Sequence, residues 1–209
     1  MKKEFFNWPR LQLFVGKNFS FLSPMTWTWI SLILAIAGFF VITFQYVYWG
    51  FTLFLLSTLV DAIDGRVARY QKNATYIGAF ADGVIDRFVD ALIIMSYFYF
   101  ELPSWGLDIN ILLFLLLFAT LIPPFIVAYA NHRHAVPDPT EKVIWRFAFR
   151  IEYLVLFIAA IFFYPISPTV TLILIYVSFV LNWATVIQSL ILTFIKAKNY
   201  DQKNPSDEY

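Results

Sequence analysis

Residues 27–48, WTWISLILAIAGFFVITFQYVY, carry no charged side chain. About 20 apolar residues in a helix cross the hydrocarbon core of a bilayer. Backbone in lipid must satisfy its own hydrogen bonds, so only helices and closed barrels can span it. Five further stretches repeat the plan. Residues 50–70 are apolar for their first half and then turn acidic and basic, and residues 75–100 do the reverse. Residues 111–130, 144–164 and 169–195 are mainly apolar, and Pro123-Pro124 is expected to kink the first of these. The chain is therefore expected to be an all-α integral membrane protein with six transmembrane helices.

Composition agrees. Charged residues make up 14% of the 209, against about 25% in a typical soluble domain. A net charge of +1 gives no reason to expect a nucleic-acid partner. The absence of cysteine excludes disulfides and thiolate metal sites. Residues 1–22 mix charge with apolar side chains and lack the pattern of a signal peptide. They read as an N-terminal interfacial amphipathic helix, with Trp8, Leu11, Leu13 and Phe14 dipping into the membrane surface, or as a flexible arm. Residues 23–197 then form one membrane domain, and residues 198–209 a polar tail. The chain is expected to fray from Lys196 onward.

Orientation follows from lysine and arginine. Lys2, Lys3, Arg10 and Lys17 precede the first span, and Arg66, Arg69 and Lys72 follow the second. Arg133, Lys142, Arg146 and Arg150 lie around the connection between the fourth and fifth, and Lys196, Lys198 and Lys203 follow the sixth. Six spans put all these groups on one side, so both termini are expected in the cytoplasm. Arg87, inside the third span, is the exception.

Five of the fourteen acids fall between Asp61 and Asp90. Asp61 and Asp64 are three residues apart near the cytoplasmic end of the second span, which puts them on one helix face. Asp82, Asp86 and Asp90 repeat every four residues on the third span, again on one face. The two helices are consecutive and antiparallel, so the carboxylates can crowd one pocket open to the cytoplasm. Like charges repel there, and burial adds a desolvation cost. Protons can relieve this, or a hard cation such as Mg2+, Mn2+ or Ca2+ held by oxygen ligands alone. Four acids suffice for two ions about 3.5–4 Å apart, an arrangement used in phosphoryl chemistry. Gly65, Gly78 and Gly83 leave room among the acids, and Arg69 adds a fixed positive charge suited to phosphate. An ion or proton transporter would also use clustered intramembrane acids.

Asp61, Asp64, Gly65, Ala68, Arg69, Gly78, Asp82 and Asp86 spell D-x2-D-G-x2-A-R-x8-G-x3-D-x3-D without a departure. This resembles the signature of the CDP-alcohol phosphotransferases. The resemblance implies displacement of CMP from a CDP-linked donor, often a CDP-lipid, by an alcohol, in phospholipid biosynthesis. It implies that Asp61, Asp64, Asp82 and Asp86 hold two divalent cations, usually Mg2+, with Mn2+ as an alternative. Asp86 would also be the general base. Asp64, Gly65, Ala68, Arg69 and Gly78 would form the CDP site, and the enzyme would be a homodimer. A soluble donor such as CDP-inositol or CDP-glycerol is the alternative to a lipid.

Outside the motif, the sequence LSPMTWT resembles a looser family feature, although Met25 stands where an asparagine often follows the proline. Thr28 there either approaches the nucleotide or simply belongs to a helix start. Arg133, Arg146 and Arg150 either bind the phosphate of a phosphorylated acceptor or anchor the cytoplasmic side. His132 and His134 read as loop residues at the interface. Asp90 is expected to pair with Arg87 or to support the metal ligands, and Glu152 lacks an evident partner in the sequence.

Overall fold

The computed structural model describes residues 9–72, 75–133, 135 and 148–203. Trp8, His134, Lys142 and Arg146, and the side chain of Leu11, lie outside that description. Among the described residues the regular structure is helical, apart from an isolated bridge between Trp105 and Leu107.

A short helix, α1 (Pro9–Phe19), leads into α2 (Pro24–Thr43). Ser23 caps α2: its backbone is extended, and its hydroxyl oxygen accepts the N–H of Thr26 at 3.2 Å. Pro24 occupies the first helical position, where no N–H is required. The cap starts α2 three residues before the apolar run that announced it. The other end also differs from expectation. Gln45 takes a left-handed backbone, φ 67°, so the chain turns there instead of running helically to Tyr48. Helix α3 (Val47–Tyr70) follows at once, and α4 (Tyr76–Ser96) comes next. Thr75 caps α4 by accepting the N–H of Gly78 at 3.1 Å. The helix then tightens into a 3-10 turn over Tyr97–Tyr99.

These elements form one compact unit, residues 1–100. Helix α2 is its centre: α3 and α4 both pack on it, and far less on each other. Close approach of α2 and α3 depends on two glycines. A Cβ on Gly50 would sit 2.3 Å from Ile42 Cγ1, and one on Gly38 would sit 3.3 Å from Leu53 Cβ. Small residues of this kind let membrane helices approach and gain dispersion contacts. Buried hydroxyls add to the seam, with Ser57 Oγ donating to the Ser31 carbonyl at 2.7 Å. The Trp27 indole N–H donates to the Phe19 carbonyl at 3.0 Å, and Gln71 Nε2 to the Ser20 carbonyl at 2.9 Å. These two bonds fix the passage from α1 into α2.

Residues 101–209 form the second unit, with α5 (Ile109–His132), α6 (Arg150–Phe163) and α7 (Pro168–Lys203). Helix α7 packs on both α5 and α6. Asp108 caps α5 through the N–H groups of Asn110 and Ile111, and α5 continues through Pro123 and Pro124. Glu152 caps its own helix, its Oε2 accepting the Phe149 N–H at 3.0 Å. A row of buried small polar residues runs down α7, including Thr171, Ser178, Asn182 and Ser189. The expected fraying from Lys196 does not occur at that point, because α7 stays helical to Lys203.

Four helical stretches among the described residues are long and apolar enough to cross a membrane: Pro24–Thr43, Val47–Tyr70, Ile109–His132 and Pro168–Tyr200. Helix α4 carries Asp82, Asp86, Arg87 and Asp90, and the described part of α6 has only 14 residues. Large apolar side chains point outward along the four, as with Phe40, Phe114 and Val180, each more than half exposed. An apolar exterior on this scale suits lipid and not water.

Candidate active site

The acidic site lies where the C-terminal end of α3 meets the start of α4. Both helices lean on α2, which leaves a cleft between them. The cleft has a volume of about 240 Å³ and is lined by Ser23, Pro24, Met25 and Thr28 from the α2 side. Asp64, Gly65 and Ala68 line it from α3, and Thr75, Gly78, Ala79 and Asp82 from α4. The capped helix starts at Ser23 and Thr75 therefore both open into it.

Three acids converge here. Asp61, Asp64 and Asp82 each offer a carboxylate oxygen, and these oxygens lie within 4.8 Å of one another. Asp64 is buried, and the other two are partly exposed. Opposed oxygens on one Mg2+ are about 4.2 Å apart, and on one Ca2+ about 4.6–5.2 Å. The three-acid set thus already has nearly the spacing of a hard divalent ion, and its donors are all oxygen, as such an ion prefers. The residues fit a metal centre. Asp86 lies one turn further along α4, outside this converging set, with its Oδ2 3.7 Å from Arg87 Nη2.

Thr28 combines a place in the cleft wall with a contact that its position did not suggest. Its hydroxyl lines the cleft and donates to Asp64 Oδ2 at 2.7 Å, in a buried contact. The threonine fixes the orientation of an acid. Sequence spacing could not reveal this, because the partners are 36 residues apart. Arg69 folds back along α3, its Nε donating to the Gly65 carbonyl at 2.8 Å. It is absent from the walls of the cleft, while Gly65, Ala68 and Gly78 are present. A Cβ on Gly65 would meet nothing nearer than the Arg69 guanidinium at 4.0 Å. The protein itself therefore does not need a glycine for space at that position.

Of the arginines considered for an acceptor phosphate, two are described, both in the second unit. Arg133 ends α5, its guanidinium carbon 5.7 Å from the centre of the Tyr129 ring. Arg150 opens α6.

A model of the CDP-alcohol phosphatidyltransferase family matches residues 21–195. The chain belongs to this family. Its members are transferases, and the match covers both units and the whole acidic motif. The chain is 36% identical over 112 residues to an uncharacterized protein of Aquifex aeolicus, covering 54% of this chain and 55% of that one. It is 32% identical over 85 residues to the bifunctional IPC transferase and DIPP synthase of the same organism, 41% of this chain and 18% of that one. An archaetidylinositol phosphate synthase of Pyrococcus horikoshii is 27% identical over 133 residues, 64% and 63% of the two chains. The chain thus spans well under two thirds of the length of these first two relatives.

The fold is that of a phosphatidylinositol phosphate synthase from Mycobacterium tuberculosis. The structure of that enzyme with CDP-DAG bound superimposes with a TM-score of 0.73 at 17% identity, covering 88% of this chain and 94% of the other. Its complex with manganese and citrate gives 0.69 at 19% identity, covering 83% of each chain.

Proposed function

We propose that this protein is a membrane-embedded, metal-dependent CDP-alcohol phosphotransferase. It takes a substituted phosphate from a CDP-lipid to a small phosphorylated polyol and releases CMP. The observation that carries the reading is the convergence of Asp61, Asp64 and Asp82 at a cleft walled by the motif's Gly65, Ala68 and Gly78. Support for a lipid donor comes from the fold partner that binds CDP-DAG. Support for a phosphorylated inositol as acceptor comes from the names of that enzyme and of the archaeal relative. In this reading all six helices α2–α7 cross the cytoplasmic membrane, both termini are cytoplasmic, and residues 23–197 form the catalytic domain of a homodimer. Helix α1 lies along the membrane surface.

The chemistry divides among named residues. Asp86 accepts the proton of the acceptor hydroxyl. The acceptor oxygen then attacks the phosphorus that bears the lipid. The bond from that phosphorus to the bridging oxygen breaks, and CMP leaves with the electron pair. Asp61, Asp64 and Asp82, with Asp86 at their side, would hold two divalent ions, Mg2+ or Mn2+, which neutralise the diphosphate and the departing CMP. Thr28 keeps Asp64 aimed at the cleft. Gly65, Ala68 and Gly78 leave space for the CDP group, and Arg69 supplies positive charge at its edge. Catalysis here is positioning and charge stabilisation. A membrane site lets the donor keep its tails in hydrocarbon while its head meets a water-soluble acceptor.

Three expected results follow from these roles. Thr28→Val removes the hydroxyl that orients Asp64 and is expected to weaken divalent-ion binding about 10-fold, the usual scale for partners of metal ligands. A Mn2+ titration of the purified variant reads this. Gly65→Val is expected to raise KM for the CDP-lipid about 10-fold or more, since overfilling a fitted site costs ~1–3 kcal/mol. Its melting temperature should stay near that of the wild type, because no protein atom crowds the position. Arg146→Ala with Arg150→Ala is expected to raise KM for a phosphorylated acceptor about 10-fold, the scale of a lost bond to a charged group. An unchanged KM would return both arginines to anchoring.

The reading is tested by product analysis. Purified protein is given Mg2+, CDP-diacylglycerol or its ether analogue, and a panel of phosphorylated and unphosphorylated alcohols. A phosphodiester lipid formed with one acceptor, in step with CMP, is the expected result. Turnover with CDP-inositol or CDP-glycerol and not with either lipid would replace the donor class.

A further inference from the structure

Arg87 and Asp90 belong to neither the three-acid set nor the walls of the cleft, yet they are the charges furthest along α4 from its start. Asp90 is fully buried. Arg87 Nη1 lies 3.2 Å from Asp90 Oδ2, one helical turn on, while Arg87 Nη2 lies 3.7 Å from Asp86 Oδ2. One guanidinium therefore faces two carboxylates unequally. The contact with Asp90 approaches hydrogen-bond length, and the contact with Asp86 exceeds it. Burying a carboxylate without compensation is among the costliest things a helix can do. A packing role alone would be met by an apolar residue of similar size.

We infer that Asp90 is a positioning residue, which holds the Arg87 guanidinium beyond hydrogen-bond reach of Asp86. The inference rests on the reading of Asp86 as a metal ligand and base. Guanidinium and carboxylate form a strong two-pronged pair when nothing restrains them. Arg87 follows Asp86 directly in the chain and would compete with a metal ion for its oxygens. Asp90 binds the fork first, at 3.2 Å. Arg87 then contributes charge near Asp86 without occupying it. The spacing is fixed by the helix: Asp90 is three residues beyond Arg87 and four beyond Asp86, the separations at which helical side chains are neighbours.

The test uses full-length protein in detergent, Mn2+ as the probe, and paramagnetic resonance to count free ion, with melting temperature followed in parallel. Asp90→Asn keeps the size of the side chain but releases the guanidinium. It is expected to weaken Mn2+ binding per folded molecule by about 10-fold or more. Adding Arg87→Gln to Asp90→Asn removes the competitor, and Mn2+ affinity is expected to return to within about 3-fold of the wild type or to become tighter, a difference of under ~1 kcal/mol. If Asp90→Asn does not fold, the double variant, which buries no unpaired charge, decides alone. Binding weakened beyond that margin in the double variant would mean that the pair merely builds the scaffold, and would overturn the inference. So would Asp90→Asn with wild-type affinity. Asp86→Asn is the reference: wild-type Mn2+ affinity in that variant would overturn the reading of Asp86 itself, and the inference with it.

Discussion

Asp86→Asn is expected to lower kcat by about 100- to 10,000-fold, the range over which a positioned base accelerates proton transfer. Binding of the CDP donor should change little. The asparagine matches the carboxylate in shape but takes up no proton, so the acceptor oxygen would have to attack while still protonated. Asp86 stands outside the converging acids and is absent from the walls of the cleft proposed for the donor. The loss should therefore fall on kcat and leave the donor dissociation constant within about 3-fold, under ~1 kcal/mol. Pre-steady-state CMP formation and equilibrium binding of CDP-lipid separate the two quantities. Near-normal kcat in this variant would remove Asp86 from the base role.

Asp82→Asn should act differently. Asp82 both lines the cleft and belongs to the three-acid set, the contribution of α4 to a site otherwise built on α3. Losing it removes a ligand and one negative charge, so divalent-ion affinity should fall by more than the 10- to 100-fold typical of losing a mere partner of a ligand. Turnover should fall with it and recover in part at high Mg2+. The contrast is diagnostic. Added metal should rescue Asp82→Asn and fail to rescue Asp86→Asn. Equal rescue of both would assign the two acids the same role.

The acidic site was legible because helix geometry converts spacing into direction. Asp61 and Asp64 share a face at a spacing of three, and Asp82 follows on an adjacent antiparallel helix, so their convergence could be anticipated. The mediating element could not. The sequence suggested that α3 and α4 face each other directly, whereas both rest on α2, and this opens the cleft. Pattern reading sees periodicity within a helix and is blind to which third helix two others share. Thr28 is the clearest instance. Its neighbourhood offered a nucleotide contact or a helix start, and neither announces the bond its hydroxyl makes to Asp64, 36 residues away.

Helix ends were read less well than helix middles, for local reasons. Ser23 and Asp108 begin their helices earlier than hydrophobicity alone suggests, because capping begins with the polar residue before the apolar run. Gln45 ends α2 early by adopting a backbone that few residues other than glycine take up. Glu152, which had no partner in the sequence, satisfies the first turn of its own helix. The polar stretch from Lys196 stays helical as a continuation of α7, since lysine and alanine there are good helix formers.

The most direct test of the central claim is CMP release from CDP-diacylglycerol by the purified protein with an inositol phosphate as acceptor. The rate is measured first in EDTA and then as Mg2+ is restored. The account predicts no release in EDTA, release that rises with Mg2+, and no such rise in Asp82→Asn at the same metal concentration. CMP release that continues unchanged in EDTA would contradict it.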